Sequence, residues 1–245
     1  MADPFFFCAD LAGDGERVRL TPDESRHLRG ARRYRLGDEL WLFDGMGVVA
    51  RGQLVEAGKS GAWVEIHERE REAPPSPAIH LACALPKGDR QATLLEMATQ
   101  LGMTSFTPLT CERSITKSPN CQRLQRICLE ACKQSRRAYM PELCDSATPQ
   151  DYVLHARHTA MTVWIAHADT EAMTLSTVLR GLAPKPSALA LMVGPEGGFS
   201  PSEMEVMKAA GGQSITLGPA VLRVEAAANA ALAAIRLMLD DPRAS

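Results

Sequence analysis

No apolar run in this 245-residue sequence is long enough to span a bilayer, and the opening MADPFFF lacks the basic region and the apolar length of a secretory signal. A cytoplasmic protein with no membrane partner is therefore expected. The seven cysteines form an odd set without C-x-x-C spacing, which suits reduced thiols in the cytosol rather than a disulfide framework. Of these, only Cys121, Cys128 and Cys132 cluster in the manner of metal ligands. Apolar Leu124, Ile127 and Ala131 share their segment, so Cys128 and Cys132 read as small core residues and no metal is expected. Excess charge is also missing: the net charge is -2, so no global field recruits nucleic acid. Neither G-x-G-x-x-G nor G-x-x-x-x-G-K-[ST] occurs, so neither a Rossmann dinucleotide site nor a P-loop is indicated. Internal repeats and low-complexity tracts are absent as well.

What is present is an ordinary globular composition, 45% hydrophobic and 23% charged, in a chain long enough for one large domain or two smaller ones. The boundary is expected at Arg71 to Pro77, REAPPSP, where three prolines fall in four residues. Residues 1–72 carry short β-like runs at Arg17 to Leu20, Glu39 to Phe43, Val48 to Val55 and Ala62 to His67, with one helix opened by Thr21-Pro22. This pattern predicts a small β-barrel. After a linker at 73–77, residues 78–245 alternate strands (Ile79 to Leu85, Ser105 to Thr110, Thr162 to Ala166) with helices (Asp89 to Leu101, Cys121 to Arg137, Leu175 to Leu182). Such alternation predicts an α/β fold with a largely parallel sheet covered on both faces.

Local charge is less even than the total. The stretch RHLRGARRYR, Arg26 to Arg35, holds five arginines and a histidine without an acid, and Arg26, Arg29 and Arg33 share a face if it is helical. A second basic run, KQSRR, spans Lys133 to Arg137. A charged run is usually a solvated face; two acid-free arginine clusters in a slightly acidic protein point to phosphate contacts.

The most informative stretch is LMVGPEGGFSPSEMEVM, Leu191 to Met207. An apolar strand from Leu189 to Val193 runs into glycines, then into a helix start with Ser200 as N-cap, Pro201 at the first position and Glu203 closing a capping box. Phe199 and Met204 are placed to staple that start. Ligands in open α/β sheets bind outside strand C-termini. The cap and Glu196 disfavour phosphate there and favour a neutral or cationic ligand held by backbone groups. Taken singly, the loop also reads as a turn that needs glycine for its dihedrals. A second copy changes this: Ser214 to Leu217 reads as a strand ending in Gly218-Pro219 before a helical pattern from Val221 to Leu239. Were the two strands neighbours, one ligand would lie across both loops.

LMVGPEGGFSPSE followed by LGPAVLRVEAAA resembles the RsmE family of SPOUT-class methyltransferases, and the likeness covers nearly the whole chain. PKGDR (Pro86 to Arg90), Leu101-Gly102, ERS (Glu112 to Ser114) and a Q-x-x-R segment (Gln134 to Arg137) also match. The resemblance implies a C-terminal SPOUT-type parallel sheet with a deep trefoil knot, preceded by an N-terminal PUA-like β-barrel that binds RNA. It implies methylation of uridine N3 in 16S ribosomal RNA of the small subunit, with S-adenosylmethionine as cofactor, by a homodimer that completes the active site. By carry-over, Val193, Gly194, Pro195, Glu196, Gly197, Leu217, Gly218, Pro219 and Leu222 hold the cofactor. His167, ending an earlier strand, is placed at the rim of the same pocket or in a solvated loop.

Uracil N3 is a weak acid between two carbonyls, so its proton must leave or its anion must be stabilised. Arg223 is expected to stabilise the anion and orient the base. Glu225 is expected either to accept the proton or to position Arg223, the bland reading being a helix-start ion pair between the two. Arg26, Arg29, Arg32 and Arg33 are expected to contact RNA phosphates; Arg113 and Arg137 are RNA contacts near the active site or structural arginines. The target base must leave its stack to react. Four positions depart from the family's charges: Ala92, Met97, Gln100 and Ala220, where Glu, Lys, Glu and Arg are typical. They are expected to form one site of a replaced ionic network around the knot or dimer interface. The alternative is a descendant that methylates another RNA or binds RNA without catalysis.

Overall fold

The computed structural model describes residues 5–13, 15–31, 34–58, 61–115, 119–168 and 172–239, with the backbone alone at positions 29 and 31. The chain divides into two compact units, Met1–Pro74 with Leu129–Met140, and Pro75–Cys128 with Pro141–Ser245.

In the first unit, β1 (Phe5–Phe7), a 3-10 turn (Ala9–Ala12) and β2 (Arg17–Arg19) precede helix α1 (Pro22–Ala31), β3 (Glu39–Phe43), β4 (Val48–Gly58) and β5 (Gly61–Arg71). The sheet order is β1-β3-β4-β5-β2, antiparallel except for β1 beside β3. The element pattern predicted a small β-barrel; the strands form one five-stranded sheet, and among the described residues no ladder joins its edge strands β1 and β2. Strand β1 was not anticipated because FFF does not alternate. Both of its faces are buried: Phe6 packs with Leu28, Leu40 and Leu54, whereas Phe5 stacks on Phe43 at 4.4 Å between ring centroids. A strand covered on both sides has no polar face to reveal its period. The Thr21 hydroxyl accepts from the Glu24 amide at 3.2 Å and opens α1 as expected. The buried Glu24 carboxylate is neutralised by Lys133, 2.9 Å away.

In the second unit the order is β6 (Ala78–Ala84), α2 (Arg90–Gln100), β7 (Ser105–Leu109), α3 (Cys121–Ser135), β8 (Glu142–Leu143), α4 (Pro149–His158), β9 (Thr162–Ala166), β10 (Met173–Thr174), α5 (Leu175–Gly181), β11 (Ala188–Val193), α6 (Pro201–Ala209), β12 (Gln213–Thr216) and α7 (Val224–Leu239). Helix α3 passes into the first unit from Leu129 onward. The sheet, β10-β12-β9-β11-β6-β7-β8, is parallel at every pairing. Helices α4 and α6 bury Val153, Ala156, Met204 and Met207 against Ala82, Ala190, Met192, Val163 and Ile165. By alternation Leu81, Leu189 and Leu191 face the other way, and α7 lies against β6 and β11 with α2 and α5 beside it. Apolar runs such as LALMV are therefore buried on both sides.

Helix α4 was missed in the sequence although it carries the usual opening, Thr148-Pro149 with Asp151; the Thr148 hydroxyl accepts from the Asp151 amide at 3.1 Å. No helix among the described residues is long and apolar enough to cross a membrane. Cys128 and Cys132 are buried and Cys121 is exposed; among the described residues no group of three His, Cys, Asp or Glu side chains is placed to hold a metal ion.

Candidate functional site

The two glycine loops do meet at one cavity, but their strands are not neighbours. Strand β9 lies between β11 and β12, so the condition of neighbouring strands is not met and the loops meet across a third strand end. The cavity, about 330 Å³, is thus three strand ends wide and includes Ala166 at the end of β9 with His167 and Ala168 beyond it. Val193, Gly194, Pro195, Glu196, Gly197, Leu217, Gly218 and Leu222 line it with His167; Pro219 does not. The His167 amide donates to Ile215 O at 2.9 Å, and its Nδ1 is buried without a hydrogen-bond partner among the described residues. Arg113, Phe199, Thr216, Ala220 and Val224 complete much of the wall. Phe199 and Thr216 flank the loops in sequence and are found by extending them, whereas Arg113 comes from a distant segment.

The first loop is held on several sides. Its capping box is formed: the Glu203 amide donates to Ser200 Oγ at 3.2 Å, and the Ser200 amide donates to Glu203 Oε2 at 2.7 Å. Glu203 Oε1 accepts a further bond from the Glu112 amide at 2.8 Å, and Ser202 Oγ donates to Glu112 Oε1 at 3.1 Å. Arg113 Nη1 donates to Gly197 O at 2.8 Å. Arg90 Nη2 lies 3.0 Å from Glu196 Oε1. A side chain at position 194 would place its Cβ 3.0 to 3.2 Å from the Phe199 ring. That glycine makes room for a neighbour in the loop. Beneath the loop, burial pushes the Cys83 thiol well up, and burial with the nearby Glu203 carboxylate pushes Cys111 up to about 12, so both remain protonated and inert.

The second loop is different. Thr216 Oγ1 donates to Gly218 O at 3.2 Å, and Gly218 sits at φ +128°, where an L side chain is strained. Beyond it Val221 is 83% exposed, and Leu222, Arg223 and Ala220 are exposed too. Arg223 and Glu225 do not line the cavity. Nor do they pair with each other: the buried Glu225 carboxylate has Arg90 Nη1 3.9 Å from Oε2. The expected helix-start ion pair is thus replaced by a partner from the start of α2.

The remaining arginines separate. Arg26 is exposed and paired with Asp23 on α1; Arg32, Arg33 and the Arg29 side chain lie outside the described residues. Arg137 belongs to the first unit, where its charge opposes the rise that burial and Glu70 impose on the Glu72 carboxyl. Of the four departures from the family's charges, Met97, Gln100 and Ala220 are exposed, so they do not form a buried cluster within one chain. Ala92 and Gln100 stand about 12 Å apart along α2 at a rise of 1.5 Å per residue.

A family model described as an RNA methyltransferase domain matches residues 73–236, and one described as an RNA methyltransferase PUA domain matches residues 20–66. The chain belongs to the RsmE family. It is 30% identical to the ribosomal RNA small subunit methyltransferase E of Rickettsia conorii, over 92% of this chain and 91% of the other. Identity to the protein of the same name from Synechocystis is 32%, over 91% and 74%. Among solved structures of similar proteins, a ribosomal RNA small subunit methyltransferase E from Neisseria gonorrhoeae bound to S-adenosyl methionine superposes with TM-score 0.87 at 29% identity, covering 97% of this chain and 98% of that one. A putative methyltransferase from Legionella pneumophila in complex with the bound cofactor SAM gives 0.85 at 28%, with the same coverage. This RsmE-family chain therefore has its two glycine loops, their strands and the cavity between them within the part that the methyltransferase model matches.

Proposed function

We propose that this protein methylates N3 of a uridine in 16S ribosomal RNA with S-adenosylmethionine as methyl donor. The observation that carries the reading is the cavity at the ends of β11, β9 and β12, walled by GPEGG and LGP, in a chain that aligns almost end to end with cofactor-bound relatives. The residues present fit that cofactor. The cavity is within the usual range for small-molecule sites, about 300–1,000 Å³. Glu196 in its wall suits a sulfonium, two glycine loops line it, and His167 Nδ1, buried without a hydrogen-bond partner among the described residues, supplies a polar contact. The bound cofactor supplies an electrophilic methyl group.

The chain's own residues do the rest. Val193 to Gly197, Leu217, Gly218 and Leu222 hold the cofactor, with Pro219 fixing the second turn from outside the cavity. Arg223, exposed on the substrate side of that turn, orients the uracil and stabilises charge that spreads to its carbonyl oxygens as N3 loses its proton. Glu225 is the candidate proton acceptor: its Oε2 has a cation nearby but no hydrogen bond, so a lone pair is unused. Its burial within one chain requires that substrate or a second subunit open a path to it. Placing N3 and the methyl group in line supplies a further large part of the acceleration.

The finer architecture is part of the same proposal. The segment carrying the two loops forms the trefoil knot of this family, and a homodimer covers exposed Val221, Leu222, Leu237 and Met238. The first unit, with Arg26, Arg29, Arg32 and Arg33, binds RNA phosphates and positions the 30S subunit in the cytoplasm; Arg113 and Arg137 are further RNA contacts. Nucleoside mass spectrometry of small-subunit RNA after incubation of unmodified 30S subunits with protein and cofactor tests the activity. New 3-methyluridine is expected. Cofactor binding without any methylated nucleoside would favour an RNA-binding descendant in which Ala220, now in the cavity wall, marks the lost activity. Light scattering tests the dimer, which Val221→Asp should dissociate.

A further inference from the structure

Arg90 has no role in the scheme above, yet its surroundings are unusual. It opens α2 directly after the N-cap Asp89, whose side chain makes no capping hydrogen bond, and a cation at a helix N-terminus is opposed by the helix dipole. Its guanidinium lies 3.0 Å from Glu196 Oε1 and 3.9 Å from Glu225 Oε2. Among the described residues no other cation is within ion-pair distance of either carboxylate. Glu196 belongs to the loop that walls the cavity; Glu225 stands on the first turn of α7, two residues after Arg223. The Glu225 side chain is 12% exposed, and a carboxylate so removed from water needs a counter-charge. One planar guanidinium addresses two carboxylates through different nitrogens. A lysine ammonium is a point charge and reaches one.

We propose that Arg90 is a positioning residue for methyl transfer: by bridging Glu196 and Glu225 it holds the first glycine loop and the start of α7 in one fixed relation. The inference rests on the methyltransferase reading. Arg90 touches neither cofactor nor base in this scheme; it acts on the cofactor through Glu196 and on the base through the turn that carries Arg223 and Glu225. Affinity for cofactor and rate of transfer are thus controlled through separable halves of one contact.

The test measures cofactor affinity by calorimetry and single-turnover methylation of unmodified 30S subunits at saturating cofactor. The proteins are wild type, Arg90→Gln, Arg90→Lys, Glu196→Gln and the double variant Arg90→Gln/Glu196→Gln. Arg90→Gln should weaken affinity and slow transfer, each by roughly tenfold. Arg90→Lys should recover most of the affinity through Glu196 and little of the rate, a split that a general loss of stability would not produce. In the double variant the affinity loss should be no greater than in the weaker single variant. The proposal is overturned if Arg90→Gln matches wild type, if Arg90→Lys restores both quantities, or if the two affinity losses multiply. Should Arg90→Gln fail to fold, Arg90→Lys still decides: wild-type transfer in that variant overturns the proposal. A wild-type protein that neither binds cofactor nor methylates ends the parent reading and this one together, whereas an active wild type matched by Arg90→Gln ends this one alone.

Discussion

The two glycine loops of the cavity look alike in sequence and differ in how they are held. Gly194 to Gly198 is fixed by Arg113 on a carbonyl, Arg90 on the Glu196 side chain and a capping box that also receives the Glu112 amide. Beyond Gly218 the second loop carries Val221, Leu222 and Arg223 in the open. A loop that is tied on all sides is suited to hold a ligand of one shape. A loop with an exposed arginine among exposed apolar side chains is suited to meet another macromolecule. In the proposed scheme the difference gives cofactor retention mainly to the first loop and substrate engagement to the second.

The largest expected effect is at Arg223. Replacement by Ala should lower turnover by about two to three orders of magnitude, the range for losing one donor to a developing anion. Cofactor affinity by calorimetry should change by less than about threefold. Equal losses in both would make the second loop a cofactor-holding loop like the first. Next is Gly194→Ala, whose Cβ meets the buried Phe199 ring; a loss of about 1–3 kcal/mol in urea unfolding is expected from overpacking. Arg113→Ala removes an exposed charged bond to Gly197 O and should weaken cofactor binding by about 0.5–1.5 kcal/mol. An unchanged affinity, with weaker binding of 30S subunits, would leave Arg113 the RNA role alone and none in holding the loop. Smallest is Gly197→Ala, where the Cβ would sit 3.4 Å from the aliphatic part of Arg113, an ordinary contact; stability should hold within about 0.5 kcal/mol. The contrast between positions 194 and 197 separates a glycine required by packing from one with room for a Cβ.

Much of the site was legible because its signals are local. Ser200, Pro201 and Glu203 announce the start of α6 whatever surrounds it, and glycine after an apolar run marks a strand end. The open edge between β1 and β2 was not legible, since hairpin turns fix pairing between successive strands but not closure of the ladder. Strand β1 was hidden by its two buried faces. The pairing of Arg90 with Glu225 was hidden by a separation of 135 positions and by a nearer candidate, Arg223, which is exposed and makes no ion pair with Glu225 among the described residues.

The sequence by itself determined two glycine loops, each at a strand end, with a capped helix after the first and an alternation of elements that demands a parallel sheet. Only the tertiary structure decided that β9 runs between β11 and β12, which brings His167 into the cavity and makes it three strands wide. The physical reason is that a parallel sheet takes its order from crossover connections. These connections pack helices on its faces at sequence separations where local propensity carries no information.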